Sequence, residues 1–230
     1  EGVPQGSPLS PLLSNIMLTE LDWELERRGL KFCRYADDCN VYVKSEKAAE
    51  RVLASLTRYV EEVLKLRVNR DKSGTFRPCD SVFLGYSFSR GNYSRIVVAK
   101  KPFKRLKNKL RHIFRTARGT SLKTTIQRLT PILRGWRQYF KLDERKRVFE
   151  ESDAHIRRHL RKLIWIAWKN PKTRERNLLK RGLPPFNAWK SSVNGRGKWW
   201  NAGAPHMNIA FPRRVFARLG LYSLASMAIC

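Results

Sequence analysis

Two adjacent aspartates between two short apolar segments constrain this chain more than any other feature. Residues 30–33 and 39–43 alternate in character and are rich in aromatic and β-branched side chains, which predicts two β-strands joined by a tight turn. Asp37 and Asp38 would lie at the tip of this hairpin, where their like charges repel each other. Two interpretations are open. The aspartates serve only the turn, whose unusual backbone angles they tolerate, or their carboxylates bind a divalent cation such as magnesium.

A loop of Gln5, Gly6, Ser7 and Pro8 leads into a predicted helix. Gly6 would let a ligand approach the backbone closely, and the free N–H groups at a helix start favour phosphate. The same residues are equally compatible with an ordinary helix start. The apolar residues that follow at helical spacing are Leu9, Leu12, Leu13, Ile16, Met17, Leu21 and Leu25.

Five motifs in this order resemble those of a group II intron reverse transcriptase/maturase. The loop at 5–8 and Tyr-Ala-Asp-Asp at 35–38 resemble two motifs of a reverse transcriptase palm. Residues 66–74 resemble the lysine-bearing motif of the same palm, and residues 83–86 resemble its primer-grip hairpin. Residues 129–140 resemble the maturase signature of the thumb. The five motifs span most of the chain, so the resemblance is specific.

The resemblance implies an RNA-directed DNA polymerase that uses two magnesium ions. Asp37 and Asp38 would be the catalytic residues and metal ligands, with Asp37 the more direct ligand. In this family a third carboxylate lies on the first palm strand, upstream of the loop and outside this chain. The acidic residues of the predicted helix are poor substitutes, because positions on a helix surface do not bring them to the hairpin tip. These residues are Glu20, Asp22, Glu24 and Glu26.

The resemblance also implies contacts with template, nucleotide and primer. Gln5 and Gly6 would position the template and the incoming nucleotide, and Tyr35 and Ala36 would pack near the primer end. Lys72 would steady the departing pyrophosphate as a cation or proton donor, and it is equally compatible with a surface lysine. The residues implied to hold the primer terminus are Phe83, Leu84 and Gly85, of which the first two are also compatible with a core.

The element order and the resemblance together predict an α+β protein. Residues 1–99 would form the C-terminal part of a reverse transcriptase palm, an antiparallel sheet with helices. Residues 100–171 would form an all-α thumb of three helices that carries the maturase signature. Residues 172–230 would form a small basic helical extension that binds DNA or RNA. The fingers and the first palm strands would come from the same parent protein or a second chain, so we expect the chain alone not to extend a primer.

Local patterns predict the individual elements. Ser45 is expected to cap a helix that runs to Leu64. The predicted short strands lie near residues 66–69, 75–77, 81–89 and 95–99. The predicted thumb helices run from residue 100 to about 117, from 120 or 121 through the maturase signature, and from 143 or 144 to 168.

The positive charge of the chain is concentrated in its second part. The formal net charge is +29. Residues 1–99 contain 15 Lys/Arg and 13 Asp/Glu, whereas residues 100–230 contain 33 Lys/Arg and 6 Asp/Glu, a net charge of +27. Such an excess repels itself unless a polyanion binds, which favours nucleic acid over a merely solvated face. The expected partners are a group II intron or other structured RNA, a DNA primer or target, and dNTP.

Several basic and aromatic residues of the second part are expected to contact nucleic acid. They are Arg134, Arg137, Arg157, Arg158, Arg161, Arg196, Lys198, Trp199 and Trp200. Trp199 and Trp200 belong to a segment that mixes cations with stackable rings, which suits single-stranded nucleic acid; they are equally compatible with anchoring a small helical cluster. Trp136 and Tyr139 are further stacking candidates, but their position beside Leu133 and Phe140 favours a role in the core.

Other features argue against some classes of protein. No apolar stretch of about 20 residues predicts a membrane span, and the start shows no signal-peptide pattern, so a cytoplasmic location is expected. The cysteines lack metal-ligand spacing and are expected to be free thiols; they are Cys33, Cys39, Cys79 and Cys230. His155 and His159 are four residues apart on a predicted helix, but no third ligand accompanies them, so zinc is not expected.

Two functions of different classes follow. The leading hypothesis is an RNA-directed DNA polymerase of the group II intron kind that also binds intron RNA to assist splicing. Its catalysis would rest on positioning and charge neutralisation. The alternative is an RNA-binding splicing cofactor without polymerase activity, which the missing third carboxylate favours. A third option is a defence-associated or domesticated relative of reverse transcriptases, against which the maturase-like signature argues.

Overall fold

The computed structural model describes residues 9–91, 94–143 and 145–226. The chain divides into two compact units, Glu1–Arg90 and Gly91–Cys230. Gln5 and Gly6, which were expected to position template and nucleotide, lie outside the described residues. Most of the described structure is helical with a small antiparallel β content. This composition is compatible with the predicted α+β class.

The first unit contains two helices and a β-hairpin. The elements are α1 (Ser10–Arg27), β1 (Lys31–Tyr35), β2 (Asp38–Tyr42), α2 (Glu46–Glu62) and the short β3 (Tyr86–Phe88). The predicted cap of α2 is confirmed, since the Ser45 hydroxyl accepts a hydrogen bond from the backbone N–H of Ala48 at 3.3 Å. Gly29, with a φ of +66°, lets the chain leave α1 and turn into β1.

The strands predicted near residues 66–69 and 75–77 are wrong: no strand is assigned there within the described part of the chain. The apolar alternation is present, but a strand forms only where a neighbouring strand pairs with its backbone groups. The strand predicted at 81–89 is shortened to β3. It is preceded by an isolated bridge between Phe83 and Tyr86.

The apolar side of α1 is largely exposed among the described residues. Leu21 and Leu25 are buried, but the five residues before them expose about half of their surface or more; these are Leu9, Leu12, Leu13, Ile16 and Met17. Helix α2, which was predicted to cover a sheet, has no fully buried residue. The physical reason is that a two-stranded hairpin offers too little surface to cover two amphipathic helices.

The second unit begins with β4 (Ile96–Val98) and continues as helices. The three helices predicted for a thumb are present as α3 (Lys100–Thr116), α4 (Leu122–Tyr139) and α5 (Lys146–Ala167). The remaining helices are short: α6 (Pro171–Lys180), α7 (Pro185–Ser192), α8 (Lys198–Gly203), α9 (Pro205–Ala210) and α10 (Arg213–Arg218). Ser121 caps α4 by accepting from the N–H of Thr124 at 3.0 Å.

One hydrophobic core serves the whole second unit. The thumb helices contribute Leu110, Leu133 and Leu160 to it, and the C-terminal part contributes Met207 and Phe216. Residues 172–226 therefore pack on the three long helices within a single compact unit.

Helix α5 begins two residues later than the latest predicted start, because Asp143 has another role. Its carboxylate is fully buried and accepts hydrogen bonds from the N–H of Val98, at 2.7 Å, and from the guanidinium and N–H of Arg145. Burial by itself would raise the pKa of Asp143. The bonds from Arg145 and Val98 outweigh that effect and leave the pKa below its ordinary value.

Asp153 fastens the C-terminal segment to α5. Its buried carboxylate accepts hydrogen bonds from the Ser223 hydroxyl at 2.6 Å and from the N–H groups of Leu224 and Ala225 at 2.9 and 3.1 Å. We expect Asp153→Ala to lower the free energy of unfolding by about 3–5 kcal/mol, because it leaves buried donors without a partner. Urea denaturation of the chain measures this.

Two further variants serve as comparisons for Asp153→Ala. Glu150→Ala changes an exposed carboxylate on the same helix and should alter the free energy of unfolding by at most about 0.5 kcal/mol. Ser223→Ala removes one of the three donors and should cost about 1 kcal/mol. If Asp153→Ala were no more destabilising than Ser223→Ala, the carboxylate would not be fastening the segment.

Candidate functional site

The two aspartates lie at the tip of the β1–β2 hairpin, as predicted. Tyr35 pairs with Asp38 across the antiparallel strands, which leaves Ala36 and Asp37 as a two-residue turn. Ala36 has a φ of +53°, a left-handed conformation that the short hairpin turn requires. Asp37 therefore projects from the turn itself, and Asp38 is the first residue of β2.

Arg34 holds the hairpin in place, and sequence reasoning missed it. Its Nε donates to Asp22 Oδ1 at 2.7 Å and its Nη2 pairs with Oδ2, which joins β1 to α1 through a bidentate ion pair. Its Nη1 donates to the carbonyl of Ala36 and to Asn15 Oδ1, both at 3.0 Å. The available signal was an arginine directly before the Tyr-Ala-Asp-Asp segment. Asp22 is thus committed to Arg34.

The carboxylates of Asp37 and Asp38 are exposed and are engaged by no hydrogen bond or ion pair among the described residues. Two adjacent carboxylates without cationic partners are the donor set that a hard divalent cation prefers. Within residues 9–91, 94–143 and 145–226, no third acidic or imidazole group joins them. The described residues thus fit part of a magnesium site, two ligands contributed by one hairpin.

The other predicted palm residues also lie in the first unit. Lys72 is exposed in a turn, and its N–H bonds to the carbonyl of Asn69 at 3.2 Å. Phe83 and Tyr86 exchange two backbone hydrogen bonds of 2.9 Å, so the predicted primer-grip residues form a tight hairpin turn. Its central residues, Leu84 and Gly85, have φ values of +52° and +79°.

The predicted nucleic-acid contacts of the second unit separate into exposed and buried groups. Arg134, Arg196 and Lys198 are exposed, and Arg196 lies over the ring of Trp200 at 4.3 Å. Trp200 itself is 42% exposed. These residues can reach a phosphate or a base without rearrangement of the fold.

Arg137 and Arg161 are buried and have structural partners. Arg137 donates from Nε to the carbonyl of Leu224 at 3.0 Å and lies over the ring of Phe149. Arg161 donates to the carbonyl of Phe211 at 3.0 and 2.9 Å, and burial, together with neighbouring Arg157, lowers its pKa to about 10. We therefore leave Arg137 and Arg161 out of the candidate interface.

Trp199 and Arg158 belong to a half-buried cluster on α5 and α8. The guanidinium of Arg158 lies 4.4 Å from the Trp199 ring and donates to the Trp199 carbonyl at 3.0 Å. Gly203 allows this approach, because a Cβ at that position would lie 2.7 Å from the guanidinium. Arg157 is half-buried on the same helix. The core role of Trp136 is confirmed by its packing on the core cluster, whereas Tyr139 is 58% exposed.

Sequence reasoning also missed an exposed aromatic pair on α7. Phe186 and Trp189 expose 66% and 52% of their surface, and their ring centroids lie 6.2 Å apart. Lys190 Nζ lies 5.9 Å from the Phe186 centroid. The signal was the spacing of three residues between the two aromatic side chains, which on a helix places both rings on one side.

His155 and His159 face each other, with their Nε2 atoms 3.2 Å apart. His159 also stacks on Phe114 with centroids 4.5 Å apart. Burial, followed by the nearby positive groups of His155, Lys162 and the arginines, lowers the pKa of His159 to about 4. Within the described residues no third ligand accompanies the pair.

We expect the neutral state of His159 to make the second unit sensitive to acid. In the unfolded chain the His159 imidazole takes up a proton near pH 6.5, whereas in the folded chain it does so only near pH 4. The free energy of unfolding therefore has its full value above about pH 6.5 and falls as the pH drops towards 4. An NMR titration of the imidazole C–H signals measures the pKa. His112, exposed on α3, is the matched control: His159→Gln should flatten the fall in melting temperature over this pH range, and His112→Gln should not.

Comparison with known proteins divides the chain at nearly the same point as its two compact units. Residues 1–88 match the family model of reverse transcriptase (RNA-dependent DNA polymerase), and residues 92–182 match that of the group II intron maturase-specific domain. A carboxylate-tipped hairpin and a strongly basic helical unit thus place the chain among proteins that act on nucleic acid. Within that class, the first part of the chain resembles a reverse transcriptase domain and the second part resembles a group II intron maturase-specific domain.

Two of the individual relatives are themselves reverse transcriptases. Protein YkfC of Escherichia coli (strain K12) is 34% identical over 146 residues, which cover 47% of this chain and 38% of the relative. The retron Mx65 reverse transcriptase of Myxococcus xanthus is 42% identical over 73 residues, 30% of this chain and 17% of the relative. The retron Ec86 reverse transcriptase of Escherichia coli is 27% identical over 117 residues, which cover 49% of this chain and 35% of the relative. The chain thus spans less than two fifths of each of these relatives.

Proposed function

We propose that this chain is part of an RNA-directed DNA polymerase of the group II intron type, which also binds intron RNA to assist splicing. The observation that carries the proposal is the pair of exposed, unpartnered carboxylates of Asp37 and Asp38 at the tip of a braced hairpin. A turn with no further role would not need Arg34 to hold the Ala36 carbonyl in place relative to α1. A rigid tip is what a site that positions phosphate oxygens requires.

The two aspartates would hold magnesium, with Asp37 the more direct ligand. A pair of magnesium ions would supply charge neutralisation at the attacking and leaving oxygens of nucleotidyl transfer. Asp37 and Asp38 would hold these ions through their carboxylates, while Arg34 is a positioning residue that keeps the turn from moving. Tyr35, 64% exposed beside the turn, would pack against the primer end. Gln5 and Gly6 would contact template and nucleotide, and Lys72 the pyrophosphate.

The primer terminus would lie against the tight turn of Phe83, Leu84 and Gly85. Its two reciprocal backbone hydrogen bonds give this hairpin a defined shape. The basic second unit would bind the RNA, with Arg134, Arg196, Lys198 and Trp200 as exposed contacts, and Phe186 and Trp189 as additional stacking surfaces.

A second candidate function is an RNA-binding splicing cofactor that does not polymerise. It is favoured by the concentration of charge in the second unit: α3 alone contains eight Lys/Arg and no Asp/Glu. It is also favoured by the presence of only two carboxylates at the hairpin among the described residues.

Primer extension distinguishes the two functions. The chain is incubated with a primed RNA template, dNTPs and magnesium, alone and together with the preceding reverse transcriptase segment of the family, which provides a further carboxylate. Extension in the second reaction supports the polymerase. Tight RNA binding without extension in either reaction supports the splicing cofactor.

A further inference from the structure

A groove of about 880 Å³ opens on the second unit, and none of the predicted nucleic-acid contacts lines it. Its walls come from the α3–α4 connection, the C-terminal part of α5, the end of α6, and Phe211. A volume of this size lies within the range of small-molecule sites.

One side of the groove is apolar. Leu163, Ile164, Ala167 and Trp168 of the α5 end line it together with Phe211. The ring of Trp168 packs on the buried ring of Phe211, with centroids 5.8 Å apart, so Trp168 provides the aromatic surface of this side. An apolar and aromatic surface of this kind can receive a flat ring system.

The other lining residues give the groove a positive charge. Four cations line it: Arg118, Lys169, Lys180 and Arg181. None of the lining residues is acidic, and none of the four cations forms an ion pair with a carboxylate among the described residues. Burial, followed by the positive charges of Lys198 and Arg118, lowers the pKa of Lys162, which precedes the groove residue Leu163 in the chain. Cations without counter-charges favour an anionic ligand.

Arg181 belongs to both the positively charged and the aromatic surface of the groove. Its guanidinium lies 4.6 Å from the centroid of Phe211, over the ring. A guanidinium that rests on an aromatic ring can still bind a phosphate through its N–H groups, while the nearby Trp168 supplies a stacking face. A ligand with both an aromatic ring and a phosphate therefore satisfies the groove.

We propose that this groove binds one or two unpaired nucleotides of an RNA strand, with the base against Trp168 and the phosphates at Arg118 and Arg181. The inference rests on the proposed RNA binding of the second unit and specifies one form of it. A base in a duplex is already stacked and paired and cannot reach an apolar wall, so single-stranded RNA is the occupant. The groove is distinct from the candidate contacts at Arg196, Trp200 and α7.

The test uses two synthetic RNA hairpins that differ only in a 3′ tail of three adenosines or three abasic nucleotides. Both tails carry the same phosphates, so the ratio of their affinities reports the bases alone. For the unchanged chain we expect the adenosine tail to bind about tenfold more tightly, since stacking of a base on aromatic side chains is of that order.

Two matched variants localise the effect. Ala167 is exposed at the groove, and Ala154 is exposed on the same helix but does not line it. We expect Ala167→Glu to reduce the affinity ratio to about one, because the longer side chain covers the apolar wall beside Trp168 and keeps the base from stacking there. Ala154→Glu adds the same charge and should leave the ratio at about ten. Arg118→Ala, at an exposed position, should weaken the binding of both tails alike and leave the ratio near ten, because it removes a phosphate contact only.

The outcomes separate this inference from the proposed function. Equal affinities of the unchanged chain for the two tails would overturn the groove assignment while leaving RNA binding intact. A ratio that stays near ten in Ala167→Glu would place the stacking elsewhere and would equally overturn it. Absence of binding to both RNAs would contradict the proposed RNA binding itself. Displacement by an acidic peptide but not by single-stranded RNA would assign the groove to a protein partner instead.

Discussion

Asp37→Asn should abolish RNA-templated primer extension, with a loss of at least about 10³-fold in any preparation in which the chain is active. The change keeps the shape of the side chain but removes the charge that binds magnesium. Loss of one carboxylate from a two-metal site removes several kcal/mol of transition-state stabilisation, and each 1.36 kcal/mol corresponds to a factor of ten. Single-turnover extension of a primed RNA template measures the rate.

Glu50→Gln is the matched control for that experiment. It converts an exposed carboxylate of α2 to an amide and should leave extension within about twofold of the unchanged protein. Asp38→Asn should reduce the rate as well, and Arg34→Met should reduce it while leaving a measurable remainder, because Arg34 positions the turn and does not bind metal. Extension that survived Asp37→Asn at more than about a tenth of its rate would refute the assignment of this hairpin.

Binding of structured RNA should weaken by roughly 10³–10⁵-fold between 50 and 200 mM salt, if on the order of 6–10 cations meet phosphates. The reason is release of counterions from the RNA by a surface on which residues 100–230 carry a net charge of +27. Measurement of the dissociation constant across a salt series gives the slope. A nearly flat dependence would contradict a phosphate-dominated interface.

The location of the cations that contact phosphates can be tested with two triple variants, each of which removes three positive charges. Replacement of Lys101, Lys104 and Lys107, exposed on α3, by Gln should lower the slope of log affinity against log salt by up to about two to three. Replacement of Lys44, Lys47 and Arg51, exposed in the first unit, by Gln should leave the slope nearly unchanged. Equal effects of the two variants would mean that both units bind RNA alike.

Local sequence patterns correctly predicted the hairpin that carries the two aspartates and the long helices. The alternation around residues 30–43 placed Asp37 and Asp38 at a turn, and the structure has them there. The apolar spacing and the hydroxyl caps predicted α2, α3 and α4 to within a few residues. Such features depend on neighbouring residues along the chain, whose preferences the sequence displays directly.

Burial and pairing were decided only by the tertiary structure. The arginines of the second part look alike in the sequence, yet Arg137 and Arg161 are buried on backbone carbonyls while Arg134 and Arg196 are exposed. The same holds for Arg34, whose role depends on an aspartate twelve residues away.

The sequence by itself thus determined the local elements, the excess of positive charge in the second part and the two carboxylates of the hairpin. The tertiary structure decided which cations face solvent, which strands find a partner and where the groove of Arg118 and Arg181 opens. The physical reason is that hydrogen bonding and burial of a side chain depend on groups distant in the chain, and only the folded packing brings those groups together.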